Sequence, residues 1–108
     1  MDYDMLLVLL KQSLEIITDF MDEESQNAKN TELTMYLKSA VSMIEREGIT
    51  LIPENVDDMF LIVMYAMWLY DKRKTTGSKY TSYYIQNMPR MLRYNLNNRL
   101  LQEDARRQ

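Results

Sequence analysis

Neither cysteine nor histidine occurs in this 108-residue sequence, and it holds only two glycines and two prolines. The first absence removes disulfides, thiol nucleophiles and thiolate zinc sites. The second removes imidazole ligands and the side chain most used for acid–base work near neutral pH. Any catalysis would have to be built from carboxylates, Lys, Tyr, Ser and Thr. The sequence therefore reads as that of a non-enzyme. With so few turn-forming residues, a strand-rich sandwich or barrel is not expected either. The longest unbroken apolar run, Met59 to Tyr70, has twelve residues, short of the roughly 20 that span a bilayer. Met1-Asp2-Tyr3-Asp4 is acidic where a secretory signal is basic, so a soluble intracellular protein is expected.

What is present is a single small domain's worth of apolar and charged residues. At 46% apolar and 27% charged, the chain can build a core and is not of disordered composition. Its net charge of −3 conceals a division. Residues 1–71 carry four basic and fourteen acidic side chains, whereas residues 72–108 carry nine basic and two acidic. An acidic front and a basic tail on one chain can meet nucleic acid, or can attract copies of the chain head to tail. Ten methionines accompany this, at positions that mostly match helical core spacing. The total apolar surface exceeds what four short helices would cover, which points to subunit contacts.

The chain reads as all-α, a bundle of about four helices around a long central hydrophobic one. The first helix is expected over about 3–14, capped by Asp2 or Asp4. The acidic, aperiodic stretch from Asp22 to Asn30 reads as a loop. A second helix is expected from about Thr31 to Glu47, with Leu33, Leu37, Ala40, Val41 and Ile44 on one face. Asn30 or Thr31 would cap its start, and Gly48 would end it. Ile49 to Ile52 reads as extended, and Pro53 blocks helical continuation. Asn55 is placed to cap the third helix, with Asp57 and Asp58 in its first turn and Lys72, Arg73 and Lys74 in its last. Gly77 is its expected stop, and residues 75–87 read as a long loop. The fourth helix is expected from Pro89 to about Glu103, followed by a mobile tail over 103–108. Met88, Leu92, Leu96 and Leu100 share one stripe. Arg99 projects into that stripe, which requires a carboxylate partner from its own chain or from across a subunit boundary.

No glycine-rich phosphate loop, HExxH, CxxC or EF-hand spacing is present. The cluster Asp19, Asp22, Glu23 and Glu24 has the oxygen ligands a divalent cation takes, but reads more simply as a solvated loop. Asp57 and Asp58 read as helix-start carboxylates rather than an acid–base pair. Lys72, Arg73 and Lys74, with Lys79, Tyr80, Tyr83 and Tyr84 after them, have the composition of a nucleic-acid contact. Arg90, Arg93, Arg106 and Arg107 extend the positive area, yet no recognition-helix pattern accompanies them. A small nucleic-acid-binding helical module is thus the alternative function.

The segment Asn87-Met88-Pro89-Arg90-Met91-Leu92-Arg93-Tyr94-Asn95-Leu96-Asn97-Asn98-Arg99-Leu100 resembles the C-terminal signature of the head–tail connector (adaptor) family of long-tailed phages. Ile44-Glu45-Arg46-Glu47-Gly48-Ile49 is similar to the family's second-helix ending. The stretch from Asp57-Asp58 to Tyr70-Asp71-Lys72-Arg73 is similar to its central helix. Together these cover roughly residues 32–102. The resemblance implies a structural virion protein, assembled as a ring of about twelve copies that follows the portal's symmetry. Such a ring joins the portal to the head-closure or stopper protein and the tail proteins, and extends the channel for double-stranded DNA. It implies no catalysis, no cofactor and no membrane, and a place at the head–tail interface of the virion after assembly in the host cytoplasm. Lys72, Arg73, Lys74, Tyr83, Tyr84, Arg90, Arg93, Arg99, Arg106 and Arg107 are the candidate partner and subunit contacts, and charge and expected flexibility, rather than the signature, make the 102–108 tail with Arg106 and Arg107 a candidate portal-docking arm.

Overall fold

Asp2 starts the first helix: its Oδ1 accepts the Met5 N–H at 3.1 Å, satisfying one of the donors that a helix start leaves open. The computed structural model describes residues 1–74 and 88–107. Its helices are α1 (Tyr3–Leu14), α2 (Glu23–Arg46), α3 (Val56–Lys74) and α4 (Arg90–Arg107). No strand occurs among the described residues, and the chain is all-α. The expected 75–87 loop, with Lys79, Tyr80, Tyr83, Tyr84 and the stop at Gly77, lies outside the described residues.

α1 ends without a glycine. Glu15 takes the left-handed conformation at φ 57°, and the Glu15 and Ile16 N–H groups return to the Gln12 and Lys11 carbonyls at 3.2 and 2.9 Å. That is the Schellman pattern, in a residue that bears the steric cost of a Cβ there.

α2 differs most from the sequence expectation. It begins at Glu23, so the stretch read as a loop over Asp22 to Asn30 is its cap and first two turns. Asp22 Oδ1 accepts the Ser25 N–H at 2.7 Å, and hydrogen bonding from the Ser25 side chain, then from this N–H, holds the Asp22 carboxyl below its ordinary value. Glu23 and Glu24 follow where the helix dipole favours negative charge. Thr31, expected as a cap, is mid-helix: its hydroxyl donates to the Asn27 carbonyl at 2.8 Å, as Thr34 does to Asn30 at 2.7 Å. The polar first turns are anchored by Lys29, whose Nζ donates to the Tyr70 hydroxyl at 3.0 Å and lies 5.0 Å from that ring's centre.

From Leu33 onward the expected face is the observed one, with Leu33, Leu37, Ala40, Val41 and Ile44 all buried. Gly48 ends the helix region at φ +101°. A Cβ there would meet only Leu100 Cδ2, at 3.8 Å, so the backbone conformation rather than crowding calls for glycine. After Ile49 and Leu51 enter the core, Pro53 and Glu54 turn the chain, with the Asn55 N–H returning to the Ile52 carbonyl at 3.2 Å. Asn55 then caps α3 as expected, its Oδ1 accepting the Asp58 N–H at 3.0 Å.

α3 is the central helix and packs against α1, α2 and α4. Leu61, Ile62, Val63, Tyr65, Ala66 and Tyr70 of α3 are buried with Leu6 and Leu10 of α1 and Leu92 and Leu96 of α4. Each such aliphatic side chain contributes about 1.5–3 kcal/mol relative to exposure. α4 continues past Glu103 to Arg107, so residues 104–107 are helical. That end contains strong helix formers and no glycine or proline, and Arg106 and Arg107 suit its dipole.

Candidate functional site

The residue that forces attention on α4 is Arg99, which is only 6% exposed on a helix face that otherwise enters the core. Its partners come from its own chain. Nε donates to Asp58 Oδ1 at 2.7 Å, and Nη2 to Asp58 Oδ2 at 3.3 Å. Nη1 donates to Glu103 Oε1 at 3.0 Å, and Nη2 also reaches the Thr50 carbonyl at 2.7 Å. The carboxylates in turn hold the 49–52 segment: Asp58 Oδ2 accepts the Ile52 N–H at 2.9 Å, and Glu103 Oε1 the Thr50 N–H at 3.1 Å. One guanidinium therefore joins the start of α3, the segment between α2 and α3, and the second half of α4.

The bonds to Asp58 raise the Arg99 pKa further, against the opposing effect of burial, so this cation stays charged. Burial pushes the Glu103 carboxyl up. The Thr50 N–H, Arg99 and Arg106 outweigh it, and the group lies below its ordinary value. Asp58 is not merely a helix-start carboxylate, since it is 1% exposed and half of a buried ion pair. Its neighbour Asp57 is exposed and keeps the simple role.

Beside this cluster, α3 and α4 line a groove of about 350 Å³. Asp57, Asp58, Phe60, Leu61 and Met64 line it from α3, and Asn95, Asn98, Arg99 and Gln102 from α4. Asn95 Nδ2 approaches Met64 Sδ at 3.5 Å across it. On the same two helices, Val56 and Phe60 are 70% and 67% exposed, and Met91 and Tyr94 are 66% and 63% exposed. α4 thus buries Leu92 and Leu96 on one face and leaves Met91 and Tyr94 exposed on another, among the amides of Asn95, Asn98 and Gln102.

The basic residues singled out in the sequence do not form one patch. Arg93 Nη1 pairs with Glu47 Oε1 at 2.8 Å, beside Tyr65. There burial, then the Glu47 charge, raise the Tyr65 phenol above its ordinary value, Arg93 opposing. Arg106 lies 3.7 Å from Glu103. Lys72 places its ammonium 5.0 Å from the centre of the Trp68 ring. Arg90 is exposed at the first turn of α4. Arg73 and Lys74 fall in the last turn of α3 and Arg107 at the end of α4, with side chains outside the described set. Tyr83 and Tyr84 lie outside the described residues.

Sequence reasoning missed Asp58 and Glu103 as the partners of Arg99. Glu103 sits at i+4 and was within reach of a spacing argument. Asp58 is 41 residues away and was not. It also missed the exposed tip between α1 and α2, where Phe20 is 94% and Ile17 65% exposed. Among the described residues no cluster of carboxylates could hold a metal ion. None of the helices among the described residues is long and apolar enough to cross a membrane. Comparison with family models, curated proteins and solved structures finds no match for the chain.

Proposed function

We propose that the chain is the repeating subunit of a ring-shaped adaptor. It would sit between the portal of a tailed-phage capsid and the head-closure and tail proteins. The observation that carries this reading is the division of labour within the signature segment. Its Arg99 and Leu92/Leu96 fix α4 to the body, while its Met91 and Tyr94 stand uncovered. A helix locked on one face that keeps large apolar side chains exposed on another is suited to a partner surface. The resemblance of residues 87–100 to the connector signature supplies the kind of partner.

The role is mechanical. Each subunit meets its neighbours through buried surface, about twelve copies close a ring, and the lumen passes double-stranded DNA without gripping it. The basic side chains support this more than they support the nucleic-acid module. Arg93, Arg99 and Arg106 are each within ion-pair distance of a carboxylate of their own chain, which reduces the charge a phosphate backbone would meet. Reversing Arg90 alone is therefore a cleaner probe of DNA contact than reversing Arg93, which also breaks its pair with Glu47.

Light scattering of the purified protein, alone and with its cognate portal at two salt concentrations, tests the proposal. The expected outcome is a ring-sized mass or a stoichiometric portal complex. A persistent 13.0 kDa monomer that ignores the portal and binds duplex DNA would overturn it.

A further inference from the structure

α4 carries a second pattern that its buried face does not use. Met91, Tyr94, Asn98, Leu101 and Ala105 follow one another at alternate steps of three and four residues, the a–d heptad repeat of paired helices. At about 100° per residue, this stripe lies roughly opposite Leu92, Leu96, Arg99 and Glu103, the side that enters the body. Met91, Tyr94 and Leu101 are 66%, 63% and 66% exposed, Ala105 is exposed and Asn98 half-buried. The bonds of Arg99 to Asp58 and Glu103 hold the helix with this side outward. Arg90 and Asp104, both exposed, stand at the two ends of one flank of the stripe, in the g positions of the repeat.

We infer that α4 is a self-pairing surface, on which two copies of the chain pack their stripes antiparallel. Met91 of each copy then meets Leu101 of the other, and Tyr94 meets Asn98. The stripe itself selects a second copy in this direction. Antiparallel pairing sets a positions against d positions, so the order Met91, Tyr94, Asn98, Leu101 is complementary to its own reverse. Apolar side chains meet at the outer layers. In the middle layers the Tyr94 hydroxyl faces the Asn98 amide, so neither polar group is covered without a partner. On the flank, Arg90 of each copy faces Asp104 of the other, which gives two pairs of opposite charge. Parallel pairing sets Arg90 against Asn95 instead and leaves its charge unmet.

The contact is isologous and closes at two copies. It stands without the adaptor reading and reaches beyond it. Met91 and Tyr94 are the side chains that reading gives to a partner, so self-pairing and partner binding are alternative uses of one face.

The absence of native cysteine makes the contact directly readable in the intact chain. Light scattering from about 10 μM to about 1 mM should show the mass rise from 13.0 kDa to twice that value. Met91→Cys and Leu101→Cys variants, mixed and oxidised, should give the 91–101 disulfide by mass spectrometry, and the double variant should close as a linked dimer. Asp104→Arg alters an exposed side chain and should leave the helical circular-dichroism signal unchanged while weakening the dimer about tenfold. Adding Arg90→Asp to that variant should restore the affinity, because the two charges are then exchanged. A chain that stays at 13.0 kDa throughout overturns the proposal. So do 91–91 and 101–101 products in place of 91–101, a ladder of multimers from the double variant, or a loss in Asp104→Arg that Arg90→Asp does not repair.

Discussion

Arg99 shows how much a single buried charge can demand of the residues around it. A guanidinium at 6% exposure is tolerable only because its donors meet two carboxylates and a carbonyl. Replacing it removes the compensation from both Asp58 and Glu103, which stay buried. Arg99→Met is expected to cost about 3–5 kcal/mol, read as a lower denaturation midpoint in urea. Adding Asp58→Asn and Glu103→Gln to that variant should recover most of the loss, since no uncompensated charge then remains. If the triple variant is no better than Arg99→Met, packing of the arginine stem rather than charge pairing holds α4 in place. That Arg99 needs a partner was legible in the sequence from its place on an apolar stripe. Which partner was not, because Asp58 is brought to it only by the approach of α3 to α4.

At the scale of elements, α2 separates two ways of making a helix. Its second half follows from apolar periodicity, and Leu33 to Ile44 bury as the spacing requires. Its first turns have no such stripe. They stand on the Asp22 cap, the favourable placement of Glu23 and Glu24, and the Lys29 contact with Tyr70. Asp22→Ala should therefore destabilise the first turns of α2. In amide exchange the loss of protection should be confined to residues 23–29, leaving the helix from Leu33 onward unchanged. Uniform loss along α2 would mean that the helix forms as one cooperative unit, in which the cap is incidental. The Asp22 cap could have been suspected from the sequence, since an Asp followed by two glutamates is a helix-start pattern. The run of polar residues after it masked the signal, because periodicity is the stronger guide wherever it exists.

The whole molecule is thin, measuring 51 × 35 × 19 Å. Two layers of helices, each about 10 Å across, fill the short dimension. A slab of that thickness has little interior, so its abundant apolar side chains cannot all be covered from within. This accounts for exposed Phe20, Phe60, Met91 and Leu101 without any fault in the fold. The same molecule has a definite response to acid. Glu103 and Asp22 both lie below their ordinary values of 4.5 and 3.8, because hydrogen bonds and, for Glu103, neighbouring cations favour their charged forms. As pH falls, the unfolded chain takes up these protons before the folded one does. The contribution of both groups is thus fully present above those values and is lost as pH drops through the lower folded ones. The melting temperature should be level from neutral pH to about 5 and decline below it. Glu103→Gln should lower the plateau and make the acid decline shallower. An unchanged acid limb in that variant would remove Glu103 from the account.

The sequence by itself determined the all-α class, the ends of α1, the cap of α3, the buried face of α2 and the need of Arg99 for an anion. All of these depend on residues within about one helical turn of each other, or on composition, and neighbours along the chain carry that information. The tertiary structure decided what depends on distant segments meeting. It chose Asp58 for Arg99, turned Arg93 towards Glu47 instead of leaving it free, and anchored the polar start of α2 on Tyr70. It also decided which apolar residues remain outside. Periodicity states which side chains share a face, but whether a neighbour covers that face depends on how four helices fit in a slab two layers deep.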